Sequence, residues 1–83
     1  MPDDPDAIFE RLKAVFHRTF RLPADAKITQ STTSADVDGW DSLAHAALVM
    51  NVEEEFGIEL PMDRVYDLKD VGELAELVAA ASR

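Results

Sequence analysis

The sequence predicts an all-α protein, a small four-helix bundle of three longer helices and one short helix, with a long loop between the first two. Apolar residues recur at spacings of three and four in separate segments, which is typical of amphipathic helices. No segment shows the strict alternation of apolar and polar residues that predicts a strand. The 83 residues fit a single domain, which we assign to residues 1–83.

The first helix is expected to begin at Asp4 and Pro5, because a capping residue followed by proline is typical of a helix start. Leu22 and Pro23 are expected to end it, since proline cannot continue a helix. Its apolar face consists of Ile8, Leu12, Val15 and Phe16.

Residues 23–39 are rich in turn formers and show no periodicity. A loop of this length is unusual in so small a domain, and long ordered loops are often functional. The expected anchors of the loop in the core are Ile28 and Val37.

The second helix is predicted from Asp41 and Ser42 to Phe56, with Gly57 as its C-terminal stop. One stripe of this helix carries Leu48, Val52 and Phe56. Its small residues Ala44, Ala46 and Ala47 leave room for a neighbouring helix or a partner.

Two further helical segments follow. A short turn is expected over residues 63–67, with Val65 directed inward. The last helix is predicted to begin near Asp70. Its apolar face consists of Val71, Leu74, Ala75 and Val78.

The charge of the chain restricts its partners. Seventeen acidic residues against eight basic ones give a net charge of −9, and residues 35–76 hold twelve of the acids with only two bases. Such a field suits basic partner proteins and argues against nucleic acid or an anionic membrane. The absence of cysteine excludes disulfides, thiolate zinc sites and a cysteine nucleophile. No apolar run reaches membrane-spanning length, so we expect a cytoplasmic protein.

Ser42 is the strongest candidate for a chemical role. It follows a flexible Gly39 and opens a helix, where unpaired amides and the positive end of the helix dipole favour a phosphate group. The alternative is that Ser42, or Asp41 beside it, only caps the helix.

Two other constellations are weaker. Ser42 and His45 lie three residues apart and could form a nucleophile–base pair, but no third group is placed to orient the imidazole. We therefore expect His45 to be an exposed residue beside the site and His17 a surface residue. A calcium loop starting at Asp36 fails, because Ala47 stands where a bidentate glutamate is needed.

The segment Asp41-Ser42-Leu43, together with residues 48–50, 53–58 and 60–61, resembles the acyl carrier proteins, and the likeness extends over nearly the whole chain. The resemblance implies that Ser42, flanked by Asp41 and Leu43, carries a covalent 4′-phosphopantetheine arm transferred from coenzyme A. The arm would hold acyl groups as thioesters, so the protein would be a carrier and not an enzyme.

The resemblance also implies partners, namely a phosphopantetheinyl transferase, an acyl- or aminoacyl-loading ligase, and synthases or acyltransferases with basic docking patches. The partner-binding residues would be Asp41, Leu43, Ala47, Met50, Glu53 and Glu54. The acyl-chain lining would be Leu48, Val52, Phe56, Leu68 and Leu74, although all five could equally be ordinary core. We expect a monomer without membrane insertion.

The chain departs from the fatty-acid carriers in two places. Trp40 replaces a small or aliphatic residue, and residues 44–47 lack the acidic side chains common there. We interpret this as a stand-alone carrier of a dedicated pathway. The alternatives are an aminoacyl or peptidyl carrier, and an unmodified acidic adaptor. Trp40 could anchor the loop or lie exposed beside the arm.

Overall fold

The helices of the protein follow the predicted order. The computed structural model describes residues 5–82, and the proposed capping residue Asp4 lies outside this range. The elements are α1 (Pro5–Phe20), a 3₁₀ turn (Ser34–Asp36), α2 (Ser42–Phe56), α3 (Met62–Val65) and α4 (Val71–Ala81). Residues 5–82 contain no strand, and the predicted all-α four-helix fold is confirmed.

One hydrophobic core joins the helices, with α1 packed against both α2 and α4. The four apolar positions predicted for α1 are all buried, and so are the two loop anchors Ile28 and Val37. Val65 of α3 is fully buried, as expected from its position in the short helix. Between residues 5 and 82, no helix combines the length and the apolar character needed to cross a bilayer.

Some boundaries differ from the predicted ones. Helix α1 ends at Phe20, before the predicted Leu22, because Arg21 adopts a left-handed conformation with φ of 53°. The Leu22 amide then donates to the His17 carbonyl at 3.1 Å and closes the helix end. Helix α3 covers Met62–Val65 instead of residues 63–67, and the 3₁₀ turn lies inside the segment predicted to be irregular.

The long loop is fastened to the start of α4. The amides of Val71 and Gly72 donate to the carbonyls of Thr32 and Gln30 at 2.9 and 2.7 Å. These two amides belong to the first turn of α4, where intrahelical acceptors are missing, so the loop satisfies them. A Cβ at position 72 would lie 2.9 Å from the Gln30 oxygen, which explains the glycine. Thr32 is itself buried, and its hydroxyl accepts from the Thr29 amide at 2.8 Å.

The C-terminal end of α2 is tied to α1. Arg11 donates to the carboxylate of Glu55 at 3.1 and 3.2 Å and to its backbone carbonyl at 2.6 Å. The same guanidinium lies 4.4 Å from the centre of the Phe56 ring, and Arg18 adds a longer ion pair to Glu55 at 3.8 Å. Gly57 ends the helix in the left-handed region, with φ of 65°. These contacts fix the end of α2 that lies away from Ser42.

Candidate functional site

Helix α2 begins with a side-chain cap that leaves Ser42 free. Asp41 is the N-cap residue, and its Oδ1 accepts from the Ala44 amide at 2.8 Å. Ser42 is therefore the first helical residue and not the cap, and it is exposed. Within residues 5–82 no group forms a hydrogen bond to the Ser42 hydroxyl. The preceding chain bends at Gly39, whose φ of 88° favours glycine.

The surroundings of Ser42 fit an attached phosphate. The amides of Ser42 and Leu43 belong to the first turn, where they have no intrahelical acceptor and where the helix dipole favours an anion. Beside Ser42 lies an open groove of about 320 Å³. It is lined by Ser34, Trp40, Asp41, Ser42, His45, Val65, Tyr66, Leu68 and Lys69. Lys69 lines the same groove and supplies a cation there.

Trp40 forms one wall of the groove and also anchors the loop. Its indole packs edge-on against Phe16, with ring centres 5.2 Å apart, and against Phe20 at 5.8 Å. Of the two predicted alternatives for Trp40, the anchoring role is the one observed, and the half-buried ring still faces the groove beside Ser42.

His45 is half-buried and hydrogen-bonded through both ring nitrogens, so its predicted exposed position was wrong. The Trp40 indole N–H donates to Nδ1 at 2.9 Å. Because an indole nitrogen can only donate, Nδ1 must accept, and Nε2–H donates to the Val65 carbonyl at 2.6 Å. Both nitrogens are therefore occupied, and His45 has no lone pair left to activate Ser42.

An exposed stripe runs down α2 from Ser42 on the side away from the core. Four of the predicted partner-binding residues are exposed at spacings of four, three and four, which place them on one helix face. This exposed stripe consists of Leu43, Ala47, Met50 and Glu54. Leu43 is 84% and Met50 69% exposed, so both lie outside the core. Glu53 faces elsewhere, because its carboxylate accepts from the Leu60 amide at 2.8 Å.

The five residues predicted to line an acyl chain belong to one hydrophobic cluster, three of them inside the core and two packed against it. Leu48, Val52 and Leu74 are completely buried in the core. Only Leu68 lines the groove beside Ser42. Phe56 lies under Arg11 at the far end of α2, about 21 Å along the helix axis from Ser42 at 1.5 Å per residue.

The aspartates before α2 do not gather around a common centre. Asp36 instead accepts from the Thr33 amide at 2.9 Å within the 3₁₀ turn. The described part of the chain contains no group of three or more His, Asp or Glu side chains suited to a metal ion.

The sequence did not predict that four residues of the groove lie near Ser42. These residues are Ser34, Val65, Tyr66 and Lys69. Lys69 could have been noticed, because it is one of only two basic residues in the acidic segment 35–76. Nothing in the sequence indicates the approach of the other three, which depends on how the long loop and the segment around α3 pack against α2.

Comparisons with known proteins agree with this geometry. Residues 10–78 match the family model described as a phosphopantetheine attachment site. The fold is similar to the solution structure of a holo acyl carrier protein from Geobacter metallireducens, with a TM-score of 0.80 and 31% identity. That match covers 89% of this chain and 84% of the other chain.

The chain is thus a phosphopantetheine-dependent carrier domain in its fold and in its sequence. It belongs to the acyl carrier protein family, and its cofactor is a covalently attached 4′-phosphopantetheine. This membership removes the alternative of an unmodified acidic adaptor.

Proposed function

We propose that Ser42 is the residue to which the phosphopantetheine arm is attached. The observation that supports this most directly is its hydroxyl, which is exposed at the first residue of α2 and bound by no group of the described chain. The first-turn amides and Lys69 would stabilise the phosphodiester, because both favour an anion at this position.

The attachment chemistry requires little of the carrier itself. The Ser42 oxygen attacks the phosphorus next to the pantetheine of coenzyme A, and adenosine 3′,5′-bisphosphate leaves. His45 does not take the serine proton, since both of its nitrogens are hydrogen-bonded. The transferase must therefore supply the base, while this chain presents the hydroxyl on a rigid helix end. Once attached, the terminal thiol of the arm holds an acyl group as a thioester.

The attachment can be located directly by mass spectrometry. Incubation with coenzyme A, Mg²⁺ and a broad-specificity phosphopantetheinyl transferase is expected to add one phosphopantetheine to the intact protein. Cleavage after Lys27 and Arg64 gives the peptide 28–64, which contains Ser31, Ser34 and Ser42. Fragmentation should place the modification on Ser42. Modification of another serine, or of none, would contradict the proposal.

The exposed stripe of α2 would be the surface that partner enzymes contact. The apolar residues of the stripe begin next to Ser42, and Glu54 lies at the end of the stripe nearer the C-terminus of α2. A partner that combines an apolar contact with a basic residue fits this order, because the apolar centre contributes affinity and the charge guides association. The first such partner is the transferase, which must reach the Ser42 hydroxyl.

Met50→Ala tests this surface, with Met62→Ala as its matched control. Both methionines are 69% exposed, but only Met50 lies on the exposed stripe. We expect Met50→Ala to lower kcat/KM of the transferase about five-fold or more, mainly through KM, while Met62→Ala leaves it unchanged. Equal effects of the two substitutions would rule out a docking role for the stripe.

The composition of the stripe supports a carrier with dedicated partners. Between Asp41 and Glu53 the helix carries no acidic residue, so the exposed stripe that follows Ser42 along α2 is apolar until Glu54. We infer that it serves enzymes of a fatty-acid, polyketide or related specialised pathway that recognise an apolar helix face. Loading by an acyl ligase is favoured over aminoacyl loading by the similarity to an acyl carrier protein.

A further inference from the structure

His45 separates the groove beside Ser42 from the hydrophobic core. Its Nε2–H donates to the carbonyl of Val65 at 2.6 Å, which ties α2 to α3 across twenty residues of sequence. Val65 is completely buried behind it, as is Leu48 one turn further along α2. A chain that started at Ser42 and entered the core between these helices would have to displace the imidazole.

The imidazole is held by rings as well as by hydrogen bonds. The Trp40 indole stacks on it at 12° between the ring planes, with centres 5.9 Å apart. Tyr66, the residue that follows α3, packs edge-on against the imidazole, with the two ring centres 5.2 Å apart. Trp40 is in turn fixed against Phe16 and Phe20. Displacement of His45 therefore breaks two hydrogen bonds and disturbs a continuous aromatic cluster.

We propose that His45 determines which acyl groups this carrier holds, by closing the route from Ser42 into the core. The inference rests on the proposed attachment at Ser42. The arm and a compact acyl group lie in the groove, and the end of a long alkyl chain stays outside the core.

The walls of the groove suit this occupant. Asp41, Ser34 and Lys69 are polar, whereas Trp40, Tyr66 and Leu68 offer apolar contact over only part of the wall. The polar groups can bind the amides and hydroxyl of the pantetheine arm, and the ring and Leu68 can contact a short acyl group. A long alkyl chain gains little from such a surface, since its stabilisation scales with the apolar area removed from water.

A series of acyl groups tests the inference. The transferase is supplied with butanoyl-, octanoyl- and dodecanoyl-coenzyme A, and intact mass confirms loading before the thermal midpoint of each product is measured. In the native sequence we expect the three midpoints to agree within about 2 °C, because added methylenes stay in water in the folded state as well as in the unfolded state.

His45→Ala should open the route, with His17→Ala as the matched control. His17 is the other histidine of the chain and lies on α1, outside the groove. In the His45→Ala protein the midpoint should rise by about 5 °C or more from butanoyl to dodecanoyl, as expected for burial of one or two methylenes. The His17→Ala series should stay flat.

If His45→Ala does not fold, measurements on the native protein loaded with the three acyl groups are enough to test the role of His45. Trp40 is the only tryptophan and is stacked on His45, so its emission maximum should be the same with all three acyl groups. A midpoint that rises with chain length in the native protein, or an emission maximum that shifts with it, would overturn the inference while leaving Ser42 attachment intact. Failure to load Ser42 at all would overturn the proposed function, and this inference with it.

Discussion

A Ser42→Ala protein should gain no mass in the loading reaction, whereas the native protein gains one phosphopantetheine. The loss is expected to be complete, because the attacking oxygen itself is removed and no neighbouring hydroxyl occupies the same position at the start of α2. Intact-mass spectrometry after exhaustive incubation with the transferase is the measurement.

This loss should not come from unfolding. The Ser42 hydroxyl makes no hydrogen bond to the described residues, and the cap of α2 is supplied by Asp41 through the Ala44 amide. We therefore expect Ser42→Ala to unfold in urea within about 0.5 kcal/mol of the native protein, as is usual for exposed positions without a structural role.

Ser34→Ala is the matched control for Ser42→Ala. Ser34 is exposed, lines the same groove and opens the 3₁₀ turn, so it differs from Ser42 mainly in its backbone position. It should load like the native protein. Loading of Ser42→Ala, or loss of loading in Ser34→Ala, would show that the arm is attached elsewhere.

Phe16→Ala should lower the free energy of unfolding by a large fraction of its native value. The ring is completely buried, and its centre lies 5.8 Å from that of Phe20 and 5.2 Å from that of Trp40. Truncation of a buried phenylalanine costs about 3–5 kcal/mol. A domain of this length has a free energy of unfolding of roughly 4–12 kcal/mol, so much of it would be lost.

Urea unfolding followed by Trp40 emission measures this loss, with Phe9→Ala as the control. Phe9 lies on the same helix but is only partly buried, so its truncation should cost clearly less. Equal midpoints for the two variants would mean that the aromatic cluster does not support the core as the packing indicates.

Much of the fold follows from local sequence patterns. The apolar positions of α1 were predicted because burial at spacings of three and four depends only on the helix repeat. The start of α2 was predicted because Asp41 and the preceding glycine are local signals for a cap. The proposed attachment residue required more than this, since the same signals describe any capped helix, and it was the resemblance to acyl carrier proteins that distinguished Ser42.

The groove could not be predicted in the same way, because its residues come from distant parts of the chain. His45 was wrongly expected to be exposed, because the Val65 carbonyl that it binds lies twenty residues further on and belongs to another helix. Phe56 was grouped with Leu48 and Val52 by a spacing of four, yet each such step turns the side chain by about 40° around the helix. Two steps bring Phe56 to the edge of the core, where it is only partly buried and lies under Arg11.

The two sides of helix α2 have different environments, one buried in the core and the other exposed to solvent. Leu48 and Val52 hold the bundle together on one side, whereas Leu43 and Met50 project into solvent on the other. If the outer side is the partner surface that we propose, substitutions there would change recognition without lowering the melting temperature. A lineage of such carriers would then change its client enzymes while its interior stays the same.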